Sequence, residues 1–333
     1  QGSDDASILL GNGNGSFANQ TRYSVGFVPY SVAIGDFNND TRLDIVVANW
    51  LSNDVSILLG NGNGSFADQT RYSAGSGPSS VAIGDLNNDT QLDILVANWA
   101  SNDVSILLGN GNGSFANQTR YSAGSGPSSV AIGDFNNDTR LDIVVANART
   151  NDVSVLLQSI GKLAYERSYA SGGGSSLQYV MVVDWNNDRN LDIVLSNYGT
   201  NNLAFLGGYG NGSFKNQTIL NTGVNSHPSL TAIDDFDGDG IVDIAVFNNG
   251  TKEIGLMLGC ENGIFASLTS TKTSFDSNPL AMISSKFSNE KRSKIGLFTY
   301  YIVVSNFNTH TLLFILIRHG SQLCPHGRWP LVE

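Results

Sequence analysis

One stretch of this chain is written five times over. GDFNNDTRLD at 35–44 returns as GDLNNDTQLD at 84–93, GDFNNDTRLD at 133–142, VDWNNDRNLD at 183–192 and DDFDGDGIVD at 234–243. Aligned on Asp36, Asp85, Asp134, Asp184 and Asp235, the copies stand 49, 49, 50 and 51 residues apart. The copying runs past the acidic loop, because VSILLGNGNGSFA at 55–67 recurs at 104–116. A period of this length means one small unit stacked on its neighbours, each unable to bury its apolar face alone. Residues 1–298 are therefore read as one repeat array, and 299–333 as a divergent segment, either a closing strand or a tail. The chain opens inside a unit, at SILLGNGNGSFANQTRYS (7–24), so residue 1 is not expected to be the natural N-terminus.

Residues 78–126 serve as the type unit. SSVAIGD (79–85) and LDILVANW (92–99) are short, rich in β-branched residues, and bracket the acidic loop. DVSILLG (103–109) alternates polar and apolar, and NGNG then turns the chain into SFANQTRYS (114–122). Asn-Gly is a strong hairpin signal because both residues accept the positive φ of a tight turn. Four antiparallel strands result, A to D, with the acidic loop joining A to B and NGNG joining C to D. No segment shows an apolar period of 3.6 residues, so helices should be nearly absent. The expected fold is all-β, a β-propeller of six or seven four-stranded blades with a period of about 49 residues. A parallel β-helix is the alternative, but its coils are usually shorter and need no hairpin per turn. Six blades result if the N-terminal C–D pair completes the last one, and the array reaches into a seventh if TLLFILIR (311–318) adds a C strand.

The acidic loop places oxygen donors at alternate positions. Counted from Asp36, positions 1, 3, 5 and 9 are Asp36, Asn38, Asp40 and Asp44. The later copies have Asp85, Asn87, Asp89 and Asp93; Asp134, Asn136, Asp138 and Asp142; Asp184, Asn186, Asp188 and Asp192; and Asp235, Asp237, Asp239 and Asp243. Position 7 would add a backbone carbonyl, from Arg42, Gln91, Arg140, Asn190 or Ile241. Alternating donors in a tight loop converge on one hard cation, as in the calcium loops of helical hands. No His or Cys accompanies them, which disfavours zinc and copper, and six or seven mixed oxygens favour Ca²⁺ over octahedral Mg²⁺. Up to five Ca²⁺ ions are expected. Asp and Asn are also ordinary turn residues, but five copies with an added Asp at position 9 exceed what turns require. Only the fifth loop has Gly at position 6 (Gly240); Thr41, Thr90, Thr139 and Arg189 stand there in the others. Those four loops are expected to be strained, and so to bind more weakly or turn differently.

Charge agrees with this reading. The chain carries 29 acids against 18 bases, a net charge of −11, and the five loops hold sixteen of the acids. Five divalent ions would cancel nearly all of the excess. No Lys/Arg stripe exists to meet phosphates, so nucleic acid is not an expected partner. The longest apolar run, LLFILI at 312–317, is too short to span a bilayer. Two cysteines, Cys260 and Cys324, do not make a disulfide scaffold; they either pair or are both free.

The loops and their flanks resemble the FG-GAP/VCBS repeat family, known from the β-propellers of integrin α-subunits. DFDGDGIVDIAVFN follows the family pattern D-x-D-x-D-G-x-x-D closely, and DFNNDTRLDIVVAN follows it apart from position 6. The resemblance covers about residues 1–290. It implies a propeller, usually seven-bladed, with Ca²⁺ in the A–B loops and an extracellular, secreted or cell-surface setting. Integrin repeats follow the second strand with Gly-Ala-Pro, where this chain has VANW, VANA or LSNY, so the likeness is nearer to VCBS repeats. The sixth loop, SKFSNEKRSK (285–294), places Lys286 and Lys294 at positions 1 and 9 and is expected to hold no metal.

No Ser/His/Asp or paired-carboxylate set stands apart from the metal loops, so an enzyme is not expected. The B–C and D–A links share the face opposite the metal loops. Trp50, Trp99, Tyr198 and Phe307 follow strand B there, and Phe27 and Tyr30 lie in the first D–A link. Aromatics at such places suit recognition of a protein or glycan, or else cap the core of their own blade. Eleven N-x-S/T sequons, Asn14 and Asn63 among them, are glycosylation acceptors in a secreted protein, although turn composition alone also generates them. The expected function is adhesion or ligand recognition; a polysaccharide-active enzyme and an inert spacer of a larger surface protein are the alternatives.

Overall fold

The computed structural model describes residues 4–12, 16–159, 162–260, 263–266, 268–272, 279–285, 300–306 and 311–317, the last three segments as backbone only. The sixth acidic loop beyond residue 285, Phe307, Cys324 and the tail lie outside the described residues. Among those described, regular structure is almost wholly strand, and no helix is long and apolar enough to cross a membrane.

β1 (Asp5–Ile8) and β2 (Thr21–Ser24) form a two-stranded sheet. Five four-stranded sheets follow, each an antiparallel meander in chain order. The first is β3 (Pro29–Gly35), β4 (Asp44–Asn49), β5 (Asp54–Leu58) and β6 (Thr70–Ser73), and the second is β7 (Pro78–Gly84), β8 (Asp93–Asn98), β9 (Asp103–Leu107) and β10 (Thr119–Ser122). The third is β11 (Pro127–Gly133), β12 (Asp142–Asn147), β13 (Asp152–Ser159) and β14 (Lys162–Ala170), and the fourth is β15 (Leu177–Val183), β16 (Asp192–Asn197), β17 (Asn202–Leu206) and β18 (Thr218–Asn221). The fifth comprises β19 (Pro228–Asp234), β20 (Asp243–Asn248), β21 (Glu253–Met257) and β24 (Thr269–Lys272), with a short ladder of β22 (Gly259–Cys260) and β23 (Ile264–Phe265) inserted at its C–D turn. β25 (Pro279–Ser285), β26 (Tyr300–Asn306) and β27 (Thr311–Ile317) make a three-stranded sheet. This last sheet has its own C strand, and β1–β2 stands as a separate sheet.

Burial follows position within the unit. Every B strand from β4 to β20 is buried along its whole length, which explains near-continuous apolar runs such as DIVVAN and DILVAN. The D strands β6, β10 and β18 are exposed except at their third residue. Alternate side chains of each B and C strand face opposite neighbours, because the pleat has period two. Val46, Ala48, Val55 and Ile57 pack forward onto Val81, Ile94, Val96 and Leu107 of the next sheet, whereas Ile45, Val47 and Leu58 pack back onto Ala6, Ile8 and Tyr23. Each four-stranded sheet is thus a blade between two others, and the whole is a β-propeller.

The inner A strands are linked by serine hydroxyls. Ser31, Ser80 and Ser129 accept the N–H of Val81, Val130 and Val180 at 3.2–3.3 Å. Ser79 and Ser128 donate to the carbonyls of Pro127 and Leu177 at 2.7 and 2.8 Å. Side chains here do what ladder bonds do inside a blade. Cys260 is disulfide-bonded.

One copied position has two environments. Val81, Val130 and Val180 are 8%, 6% and 3% exposed, but their equivalent in β3, Val32, is 55% exposed, because β1–β2 contributes no A strand beside it. At about 0.8 kcal/mol per buried CH₂, Val81→Ala should cost about 1.5 kcal/mol or more. Val32→Ala should stay within about 0.5 kcal/mol of the parent. Denaturant midpoints of the two variants check this, and equal losses would contradict it.

Candidate functional site

The five acidic loops share one geometry. The position-1 carboxylate collars the turn: Asp36 accepts the N–H of Asp40 (3.1 Å) and of Thr41 (2.7 Å) on its two oxygens. Asp85, Asp134, Asp184 and Asp235 repeat this at 2.7–3.1 Å. The position-3 side chain accepts the N–H of position 5, as Asn38 does from Asp40 (3.2 Å) and Asp237 from Asp239 (3.1 Å). Position 5 accepts the N–H of position 7, from Arg42, Gln91, Arg140, Asn190 and Ile241. Positions 1, 3 and 5 are thereby drawn together. In the fifth loop Asp235, Asp237 and Asp239 each offer an oxygen within 4.8 Å of the others.

The loops do not turn differently where Gly is missing. Thr41, Thr90, Thr139 and Arg189 take φ of 67°, 70°, 69° and 68°, beside 86° for Gly240. A left-handed conformation costs an L-residue about 1–2 kcal/mol. The strong hydrogen bond from the residue's N–H to the position-1 carboxylate holds it there, so the strain is borne rather than relieved. Position 4 is left-handed too, and Asn39, Asn88, Asn137 and Asn187 tolerate that better than most residues.

Position 9 works differently. Asp44, Asp93, Asp142, Asp192 and Asp243 are fully buried, and each braces two segments. One oxygen of Asp44 accepts the N–H of Phe37 (2.8 Å) in the loop, and the other that of Gly60 (2.7 Å) just past strand C. Asp93 does the same with Leu86 and Gly109, Asp142 with Phe135 and Gln158, Asp192 with Trp185 and Gly208, and Asp243 with Phe236 and Gly259. Burial raises these carboxyls, the two N–H donors lower them, and the acids at positions 1 and 5 raise them again, leaving Asp93, Asp142 and Asp192 at about 6. Asp243 reaches about 7, from burial first and with Asp237 and Asp239 adding to it. Clustered carboxylates with so little counter-charge suit a hard cation, and the donor set, oxygen throughout, fits Ca²⁺. Positions 1, 3 and 5 would hold it, with position 9 beside them and the position-7 carbonyl available.

Neighbouring loops are linked. Asn39 donates to Gln91 (2.5 Å) and Gly111 (3.4 Å) of the next unit, and Asn137 to Asn190 (3.3 Å) and Gly210 (3.2 Å). At the opposite face an axial pocket of about 210 Å³ is lined by A-strand serines together with Tyr30, Trp50, Trp99 and Tyr179. Tyr30 and Trp50 lie 5.4 Å apart by ring centroid, Trp50 and Trp99 6.3 Å, and the Arg149 guanidinium sits 5.1 Å over Trp99. Tyr198 instead stacks on His227 at 4.7 Å, and Phe27 is exposed. Reading the sequence missed the serines, although their copying at 79–80 and 128–129 was a usable signal.

A carboxyl raised by folding favours the protonated native state, so the unfolded chain binds fewer protons and stability falls as pH rises. With a chelator present, the melting temperature should therefore drop between about pH 4 and pH 7, the window from the ordinary Asp value to that of Asp243. Millimolar Ca²⁺ should flatten or reverse the slope. Thermal scans across this range test it, and stability rising with pH under chelation would contradict it.

The FG-GAP-like repeat family matches residues 1–47, 36–96, 85–145 and 184–246. No curated protein matches the chain. Among solved structures, the periplasmic gluconolactonase of Pseudomonas aeruginosa superposes with a TM-score of 0.63 at 13% identity, over 93% of this chain and 94% of that one. An Agrocybe aegerita lectin that recognises non-reducing terminal N-acetylglucosamine gives 0.57 at 16%, over 95% and 90%. A Lactobacillus plantarum protein gives 0.58 at 15%, over 93% and 95%. At such identities the likeness is one of fold, whereas the repeat matches span more than half of the sequence and fall on the acidic loops just described: this chain belongs to the FG-GAP-like repeat family.

Proposed function

We propose that the chain is an extracellular recognition module, stapled by Ca²⁺ at one face and binding a glycan or protein at the axial pocket of the other. The aromatic row Tyr30, Trp50 and Trp99 beside the serine hydroxyls carries this reading. Aromatic faces take the C–H side of a sugar or an apolar side chain, and hydroxyls complete its polar edge. Among the described residues no Asp, Glu, His, Lys or Cys lines the pocket, which suits binding better than turnover. Both a lectin and a gluconolactonase share the fold, so fold alone favours neither. The disulfide at Cys260 supports the setting, where Ca²⁺ modules bind at about 10⁻⁴–10⁻³ M.

The metal would act structurally, offsetting the repulsion of clustered carboxylates in each A–B hairpin. A ligand at about 100 times its Kd adds about 2.7 kcal/mol per site. Melting temperatures in millimolar Ca²⁺ should exceed those in EGTA, and Asp239→Ala should remove part of the gain. Identical midpoints with and without Ca²⁺ would sink the metal reading.

Ligand binding is checked separately on glycan and protein arrays in Ca²⁺. Trp50→Ala and Trp99→Ala should each weaken a retained ligand about tenfold or more while leaving the melting temperature nearly unchanged. A ligand indifferent to both substitutions would place recognition elsewhere.

A further inference from the structure

The gap between the fourth and fifth blades departs from the copying. Gly207 stands where Leu10, Leu59, Leu108 and Leu258 stand in the other C–D turns, and each such residue accepts the same turn hydrogen bond. Leu59 reaches Gly113 of the next blade, and Leu157 reaches Gly212. Leu220 replaces the tyrosine of the preceding D strands, matched by register at Tyr23, Tyr72, Tyr121 and Tyr169. Tyr23, Tyr72 and Tyr169 pack edge-on against Phe66, Phe115 and Phe214 of the following blade at 5.4–5.5 Å. Both changes shorten a side chain at one gap, where Trp185 takes the contact with Gly263 that Leu59 makes with Gly113.

The space is not closed. A cavity of about 430 Å³ lies there, walled by Trp185, Phe205, Leu220, Ile264 and Phe265. Trp185 stands edge-on to Phe205 at 5.0 Å, and Phe205 stacks on Phe265 at 5.3 Å. Trp185 itself replaces Phe37, Leu86, Phe135 and Phe236 of the other loops, and Phe205 replaces Ile57, Ile106 and Val155. At the rim Lys215 stands where Ala18, Ala67, Ala116 and Ala266 stand elsewhere. It has no carboxylate partner among the described residues, and its ammonium lies 5.7 Å from the Tyr209 ring. Emptying a packed gap costs stability unless something fills it.

We infer that this inter-blade cavity is a second binding site, for a small organic acid with a flat apolar body and one carboxylate. The apolar body enters between Trp185, Phe205 and Phe265, where it removes aromatic surface from water. The carboxylate stays at the rim and pairs with Lys215, the one charged residue among the described residues that line the cavity. The site is independent of the axial pocket, on a different wall of the fold.

The test uses calorimetry on the whole chain in millimolar Ca²⁺, with naphthalene-2-carboxylate and its neutral carboxamide as probes. The acid should bind saturably with a Kd below about 1 mM. Lys215→Ala and Leu220→Tyr restore residues that the other blades already carry, so both are compatible with the fold; Gly207→Leu is a second filling variant. Lys215→Ala should weaken the acid about fivefold or more and leave the carboxamide unchanged. Leu220→Tyr or Gly207→Leu should abolish binding of both, and Trp50→Ala should change neither. The inference is overturned if no saturable binding is seen, if filling the cavity leaves binding intact, or if Lys215→Ala fails to separate acid from amide.

Discussion

Each of the five four-stranded blades depends on one buried carboxylate that accepts two backbone N–H groups. Asp44 and its four equivalents join the acidic loop to the end of strand C, so the A–B hairpin and the C–D turn are held by one side chain. Two N–H donors are not enough to keep such a group fully ionised. Burial outweighs them, and the carboxyls of Asp93, Asp142 and Asp192 settle at about 6. A cation beside them would supply the missing counter-charge. Metal affinity and blade stability are then the same free energy seen from two sides. Glycine at the join follows from this geometry, since a Cβ on Gly60, Gly109, Gly208 or Gly259 would strike the backbone carbonyl of the loop residue before the Asp.

The two faces of the propeller answer to different constraints. On the loop face almost every side chain is occupied in closing a turn or linking to the next unit, as Asn39 and Asn137 do. Little there is free to vary. On the opposite face the links close with fewer obligations, and their residues differ: Val28, Gly77, Gly126, Ser176 and His227 all take the same left-handed turn. The A strands converge beneath these links, with hydroxyls bridging neighbours. A concave, uncharged floor with a variable aromatic rim results, which is where a scaffold of copied blades can acquire a ligand.

Much of this was legible in the sequence. The strands, their order and the register of the acidic loop follow from copying alone, because a repeated DIVVAN reads as a strand buried on both faces. Strain at the position-6 threonines was legible, but what holds them left-handed was not. Propensity counts the cost of positive φ at Thr41, but the compensating bond from its N–H to Asp36 depends on a collar that exists only once the turn has closed. The role of Asp44 was half legible for the same reason. Its spacing marks it as an oxygen donor, but its two N–H partners lie 7 residues back and 16 ahead, and the second is brought close only by the folded C strand. The axial serines look like loop polarity until the A strands are seen side by side.

Repetition also supplies its own control for reading departures. Where a copied residue changes and its contacts change with it, the alteration is neutral repair. The pair Asp54–Arg71 recurs as Asp103–Arg120 and is lost jointly in the fourth blade, where Asn202 and Ile219 stand instead. No charge is stranded by that double change. Gly207 and Leu220 are of another kind. Both shorten side chains at the same gap; Trp185 reaches Gly263 in place of the lost leucine, yet a cavity remains beside it. Simple decay would be expected to bring in polar residues, or to let the neighbouring blade close down on the void. Retained aromatic walls with the Lys215 ammonium at the rim are instead what selective occupancy of a cavity requires, since the apolar surface favours entry and the charge decides what enters.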